Sequence, residues 1–184
     1  CIQDRIIMGT IKTTNIEPIA DNGTVTLGSS GDTFTLGSGV VQSNLMNPAF
    51  EANLSANQSV SSNTLTKVQA NTESFDTDNC YDNSTNYRFT PTVSGKYYVY
   101  FQIRLSWTSS NGDSGVTSIY KNGSEIFTSR INVTSNWYGT MDTFGTVDMN
   151  GSSDYLEAFG KFDGGGPIFV SGTSTRFGAY RIGS

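Results

Sequence analysis

Two sets of side chains in this sequence are of the types that do chemistry, and both are acidic. Asp76, Asp78 and Asp82, interleaved with Asn79 and Asn83, crowd oxygen ligands into one short loop, the donor chemistry of a hard cation such as calcium. The spacing departs from the helix-loop-helix calcium template, with Cys80 at a ligand position and no Gly at the following turn position. A solvated acidic loop is the simpler reading, and calcium near Asp76, Asp78 and Asp82 is the one candidate cofactor. Glu125, Asp142, Asp148 and Glu157 are the candidates for the carboxylate pair of glycoside hydrolysis. None sits in a motif, and they fall on alternating strand faces. Lys121, Asp154 and Glu157 read as solvent-face charges. The chain has no His and only 2 Cys, Cys1 and Cys80. That excludes Ser-His-Asp and Cys-His nucleophilic sites, histidine bases, imidazole metal ligands, a disulfide framework and a four-thiolate zinc site. The expectation is binding without turnover, with no catalytic residue and no metal ligand set.

The 184 residues suffice for one medium domain and a short appendage, and 12% aromatic content supplies a core. A formal net charge of −5 and a pI near 4.5 have the wrong sign for a phosphate binder, so no nucleic-acid partner is expected. The longest apolar stretch, 97–105, is too short for a membrane span and contains Gln102 and Arg104, so no membrane insertion is expected. Residues 1–8 lack the apolar segment of a signal peptide.

From Met46 onward the pattern has period two, with turn signals at short intervals. Residues 96–107 place Tyr97, Val99, Phe101, Ile103, Leu105 and Trp107 on one face and Tyr98, Tyr100, Gln102 and Arg104 on the other. Strands over 116–121 and 125–131 flank Asn122-Gly123, the strongest hairpin signal in the chain. Further alternation over 137–149, 155–162 and 173–182 is broken by Asn150-Gly151 and by a loop at 163–167. No window has a helical period. The expected fold is all-β, a two-sheet antiparallel jelly-roll sandwich of about ten strands.

Residues 1–45 form an extended, β-rich N-terminal arm, and 46–184 the jelly-roll head. The arm has no aromatic residue except Phe34 and carries a repeat, Thr24-Val25-Thr26-Leu27-Gly28-Ser29 returning as Thr33-Phe34-Thr35-Leu36-Gly37-Ser38. Two such copies cannot bury their apolar face alone. Three chains around an axis can, which makes Val25, Leu27, Phe34 and Leu36 expected contacts of a homotrimer. An arm lying on a partner surface is the alternative.

The head resembles the complement 1q / tumour-necrosis-factor-like jelly-roll family. Pro48-Ala49-Phe50-Glu51-Ala52 is similar to its first strand, and Phe89-Thr90-Pro91-Thr92-Val93-Ser94-Gly95-Lys96-Tyr97 to its Phe-x-Pro-x-x-x-Gly-x-Tyr run. Lys121-Asn122-Gly123 matches its hairpin. Phe177-Gly178-Ala179-Tyr180 resembles its last strand, which members route through the trimer centre. The usual Gly-Asp before the penultimate strand is replaced by Asn150-Gly151-Ser152-Ser153-Asp154. The resemblance implies a homotrimer with Tyr98, Tyr100, Phe177 and Tyr180 at the interface. Trp137 and Tyr138, beside a polar loop, are the candidate ligand contacts, because exposed aromatics stack on sugar faces.

The opening, Met8-Gly9-Thr10-Ile11-Lys12-Thr13-Thr14-Asn15-Ile16-Glu17-Pro18, resembles leaders of structural proteins from tailed phages and would place a start at Met8. It implies a non-enzymatic protein of the virion surface, a capsid decoration or head fibre whose arm docks on other virion proteins. The head would then serve weak adhesion to host-surface glycan. A tail-fibre receptor-binding tip and a secreted complement-like recognition module are the alternatives.

Overall fold

Strict alternation over the middle of the chain builds the element on which everything else is assembled. The structure, a computed structural model, describes residues 46–108, 113–133 and 137–183, with the isolated positions 16, 26, 33 and 38. The chain divides into two units, Cys1–Gln42 and Ser43–Ser184, and all described strands belong to the second. In chain order these are β1 (Ala49–Leu54), β2 (Gln58–Ser59), β3 (Thr66–Lys67), β4 (Thr72–Asp76), β5 (Tyr81–Asp82), β6 (Arg88–Phe89) and β7 (Gly95–Thr108). There follow β8 (Asp113–Lys121), β9 (Ser124–Val133), β10 (Trp137–Met149), β11 (Leu156–Phe162), β12 (Gly165–Phe169) and β13 (Gly172–Gly183). The fold is all-β, with two antiparallel sheets packed face to face.

The first sheet is centred on β7. Along one side, β10 pairs with it in unbroken register from Trp137 opposite Trp107 to Met149 opposite Gly95. The other side is shared, β13 taking the first half and β12 the second. Beyond β13 lie β1 and then the edge strand β4, and β2 extends β12. In the second sheet β8 lies between β9 and β11, and the far side of β11 is divided between β3 and the pair β6–β5.

The predicted inner residues of β7 from Tyr97 to Leu105 are fully buried. Between the sheets Phe50 is sandwiched by Tyr81 and Phe89, with ring centroids 4.5 Å away on each side, and meets Phe177 edge-on at 5.1 Å. Such geometries suit the ring quadrupole and add to simple area burial. A polar contact crosses the core: the hydroxyls of Thr117 on β8 and Thr143 on β10 share a hydrogen bond, so neither is left unsatisfied. The Asn122-Gly123 hairpin forms with both residues at positive φ, +52° and +77°, the type I′ geometry that matches strand twist.

Two expectations of the fold are revised. There are thirteen strands among the described residues rather than about ten, the excess being two-residue pieces that alternation cannot resolve. The expected loop at 163–167 instead contributes to β12, Gly165 facing Thr108 and Ile168 facing Ser106 across a bulge. Gly164 and Gly166 take positive φ, bending the chain back to the sheet where no side-chain pattern announces a strand.

Candidate subunit interface

The outward residues of β7 meet those of its neighbours in register, which makes the free face of the first sheet the place where sequence-predicted residues converge. Tyr98 lies opposite Thr146 of β10 and Tyr180 of β13, and Tyr100 opposite Phe144 and Gly178. The Tyr98 ring is 5.5 Å from Tyr180 and 6.3 Å from each of Tyr100 and Phe144. Phe144 is 62% exposed. This is a continuous aromatic stripe across three strands, pointing away from the protein's own core.

Gly178 lets the stripe lie flat. A Cβ there would collide with the Tyr100 ring and hydroxyl, so only glycine admits the tyrosine over β13. The Tyr100 hydroxyl donates to Glu51 Oε2 at 2.8 Å, and Arg176 Nη1 stands 3.9 Å from the same oxygen. Burial and the bond to Glu51 push the Tyr100 hydroxyl pKa well up, so it stays a neutral donor at physiological pH. Beside it a cavity of about 400 Å³ is lined by Gln102, Asp142, Phe144 and Arg176 among others.

Tyr98, Tyr100 and Tyr180 are therefore brought together. Phe177 is not with them: it is 1% exposed and packs in the core against Phe50, Tyr81 and Phe101. Its expected interface role is corrected for a simple reason. It lies one residue from Gly178 on an alternating strand, so its side chain points inward. Val25, Leu27, Phe34 and Leu36 lie outside the described residues. Tyr138 lies on the stripe's own face, opposite Ser106, 61% exposed, with the Arg104 guanidinium 4.2 Å from its ring centre. Trp137 pairs its backbone with Trp107, and its side chain is outside the described residues. Phe144, Glu51, Gly178 and Arg176 were not anticipated. Phe144 was readable, as an aromatic on the polar side of an alternating run; Gly178 was not, because its role depends on a ring from another strand.

The acidic side chains serve the loops and sheet faces. Asp82 accepts from the amides of Ser84, Thr85 and Asn86 and from the Asn86 side chain. These bonds hold its carboxyl far below the ordinary aspartate value. Asp76 accepts from the amides of Asp78 and Tyr81. Among the described residues no group of three or more Cys, Asp or Glu side chains converges on a point that could hold a metal ion.

The carboxylates considered for hydrolysis divide between opposite sides of the sandwich. Asp142 and Asp148 are on the free face of the first sheet, Asp148 paired with Lys96 at 2.7 Å. Glu125 and Glu157 flank Tyr120 on the free face of the second. Glu157 and Asp154 are not the solvent-face charges expected. Glu157 is 7% exposed and bonds Lys67 at 2.6 Å, and Asp154 pairs with the half-buried Lys121 at 2.8 Å. Lys67 of β3 lies against Glu157 and Lys121 of β8 against Asp154, contacts that a single-strand pattern cannot reveal.

The departure at Asn150–Asp154 also has a structural answer. Asn150 Oδ1 accepts from the amides of Ser152, Ser153 and Asp154, while Asp154 Oδ2 takes the amide of Asn150. The two side chains close the turn between them.

Comparison with known proteins agrees with this architecture. No protein-family profile and no curated protein matches the chain. Two solved structures of murine APRIL, at pH 5.0 and pH 8.5, superpose with TM-scores of 0.54 and 0.51. Each is 14% identical and covers 73% of this chain and 98% of the other. The head has that jelly-roll fold.

Proposed function

We propose that this chain is a non-enzymatic homotrimeric surface protein of a virion, whose jelly-roll head assembles through the free face of the first sheet. The aromatic stripe of Tyr98, Tyr100, Phe144 and Tyr180 carries this reading. Tyrosines with an apolar body and polar tip are enriched at subunit interfaces, and three of them with the exposed Phe144 form an outward-facing aromatic patch of the kind that marks an interaction surface. The trimeric habit of the family that the head resembles supports three copies around an axis. The resemblance of the leader to tailed-phage structural proteins supports attachment of the arm to capsid or tail proteins. The head would then face outward, for weak adhesion to host glycan multiplied by avidity.

Solution mass measurement of the full chain tests the assembly. A trimer at micromolar concentration is expected, and a monomer overturns it. Density for three copies of this head on the surface of native particles is the matching test of location.

A further inference from the structure

We propose that the cleft between the β1–β2 turn and Tyr87 is a binding subsite for one neutral sugar ring. The inference rests on reading the head as a binding module and places that binding at a site distinct from Trp137 and Tyr138. The cleft holds about 160 Å³, room for about five waters at ~30 Å³ each, which fits a single ring and not a chain. Its polar lining is Ser55, Asn57, Gln58, Gln69, Asn71 and Tyr87, with no charged side chain among the described lining residues. An uncharged wall of amides and hydroxyls offers both donors and acceptors without favouring an anion or a cation.

The amides are held in place and retain bonding capacity. Asn71 accepts the Ser55 amide at 2.9 Å and donates to the Ser55 hydroxyl. Gln58 donates to the Lys67 carbonyl and accepts the Gln69 amide at 3.0 Å. Asn57 accepts the Ser171 amide at 2.8 Å through Oδ1, which leaves its Nδ2 protons to donate. These bonds fix the frame in advance, so little side-chain freedom is lost on binding.

Tyr87 supplies the second observation. It sits at φ +49°, the left-handed region in which a bulky residue is an outlier. Asp82, gripping the amides of the three residues before Tyr87's immediate neighbourhood closes, holds the segment 84–86 in that path. Strain of this kind is kept where the surroundings over-determine it and is a mark of functional sites. Here it brings a half-buried aromatic residue to the cleft wall, the residue type against which the C–H face of a sugar packs.

The test is titration of the full chain with methyl glycosides of glucose, galactose, mannose and N-acetylglucosamine, followed by amide chemical shifts. Saturable shifts confined to 54–58, 69–71 and 87 are expected with at least one of them, with Kd on the order of 1 mM. Tyr87→Gly relieves the positive φ, which offsets part of the packing lost with the ring, and should keep the fold, checked by the dispersion of the same spectra, yet bind at least about tenfold more weakly. Gln69→Ala should weaken binding in the same direction. No saturable shift in this cleft, shifts only near Tyr138, or unchanged affinity in both variants would overturn the proposal. Mass measured on the same samples separates the two readings: a trimer without sugar binding sinks only the subsite, and a monomer that binds sugar sinks only the assembly.

Discussion

Single side chains close the loops of this head where backbone ladders cannot reach, and two aspartates are among them. Asp82 collects the amides of residues 84–86, and Asp154 joins Lys121, Asn122 and the Asn150 amide. For Asp82 the bonds to Thr85 and Ser84 lower the pKa most; for Asp154 those to Lys121 and Asn122 do. A carboxyl depressed in the folded state stabilises it fully above the ordinary aspartate value of 3.8. That contribution is lost as pH falls through the lower folded value. Thermal melts from about pH 6 down to about pH 2.5 should therefore be level above the ordinary aspartate value of 3.8 and begin to fall below it, the loss still incomplete at the acid end. Asp82→Asn and Asp154→Asn should each melt lower than the native chain at neutral pH, with the gap narrowing as pH falls below 3.8. Curves that stay parallel would assign the acid loss to other groups.

At the scale of elements, β7 separates two jobs by alternation: odd residues build the core and even residues build the stripe. Substituting the even residues should leave the fold and weaken assembly. Tyr98→Ser is the cleanest case, since that ring neighbours Tyr100, Phe144 and Tyr180 on the free face. A central interface tyrosine contributes about 2 kcal/mol, so the substitution should weaken subunit association by about 30-fold. Tyr100→Ser should weaken assembly as well, with an added cost from leaving Glu51 without its donor. Lys161→Ser, on the free face of the second sheet opposite Val116, should leave assembly unchanged. Equal dissociation constants for Tyr98→Ser and Lys161→Ser, read by sedimentation, would return the tyrosines to a role inside one subunit.

For the whole molecule, the head carries its own core and both sheets. The first described contact of the 46–184 segment is already internal, the Met46 carbonyl accepting from the Arg181 amide at 3.2 Å. Removing residues 1–45 should therefore leave a cooperatively folding head, with its near-ultraviolet signal and urea transition retained. On the proposed division of labour it should also lose attachment to particles. A truncated head that still decorates particles lacking the native protein would show that the arm is not the anchor.

The sequence by itself determined the β class, the inner and outer faces of β7, the Asn122-Gly123 hairpin and the tyrosines of the stripe. These rest on period two and on turn chemistry, which act between residues close in the chain. Alternation also contained the answer for Phe177, one step out of phase with Tyr180, although family likeness pointed the other way. Only the tertiary structure decided the rest. That Gly178 admits Tyr100, that Lys67 covers Glu157, that glycines 164–166 feed a strand and that Tyr87 walls an amide-lined cleft each depend on residues far apart in sequence. Such contacts leave no periodic trace, because the partner is supplied by another strand and burial is a property of the packed sheets.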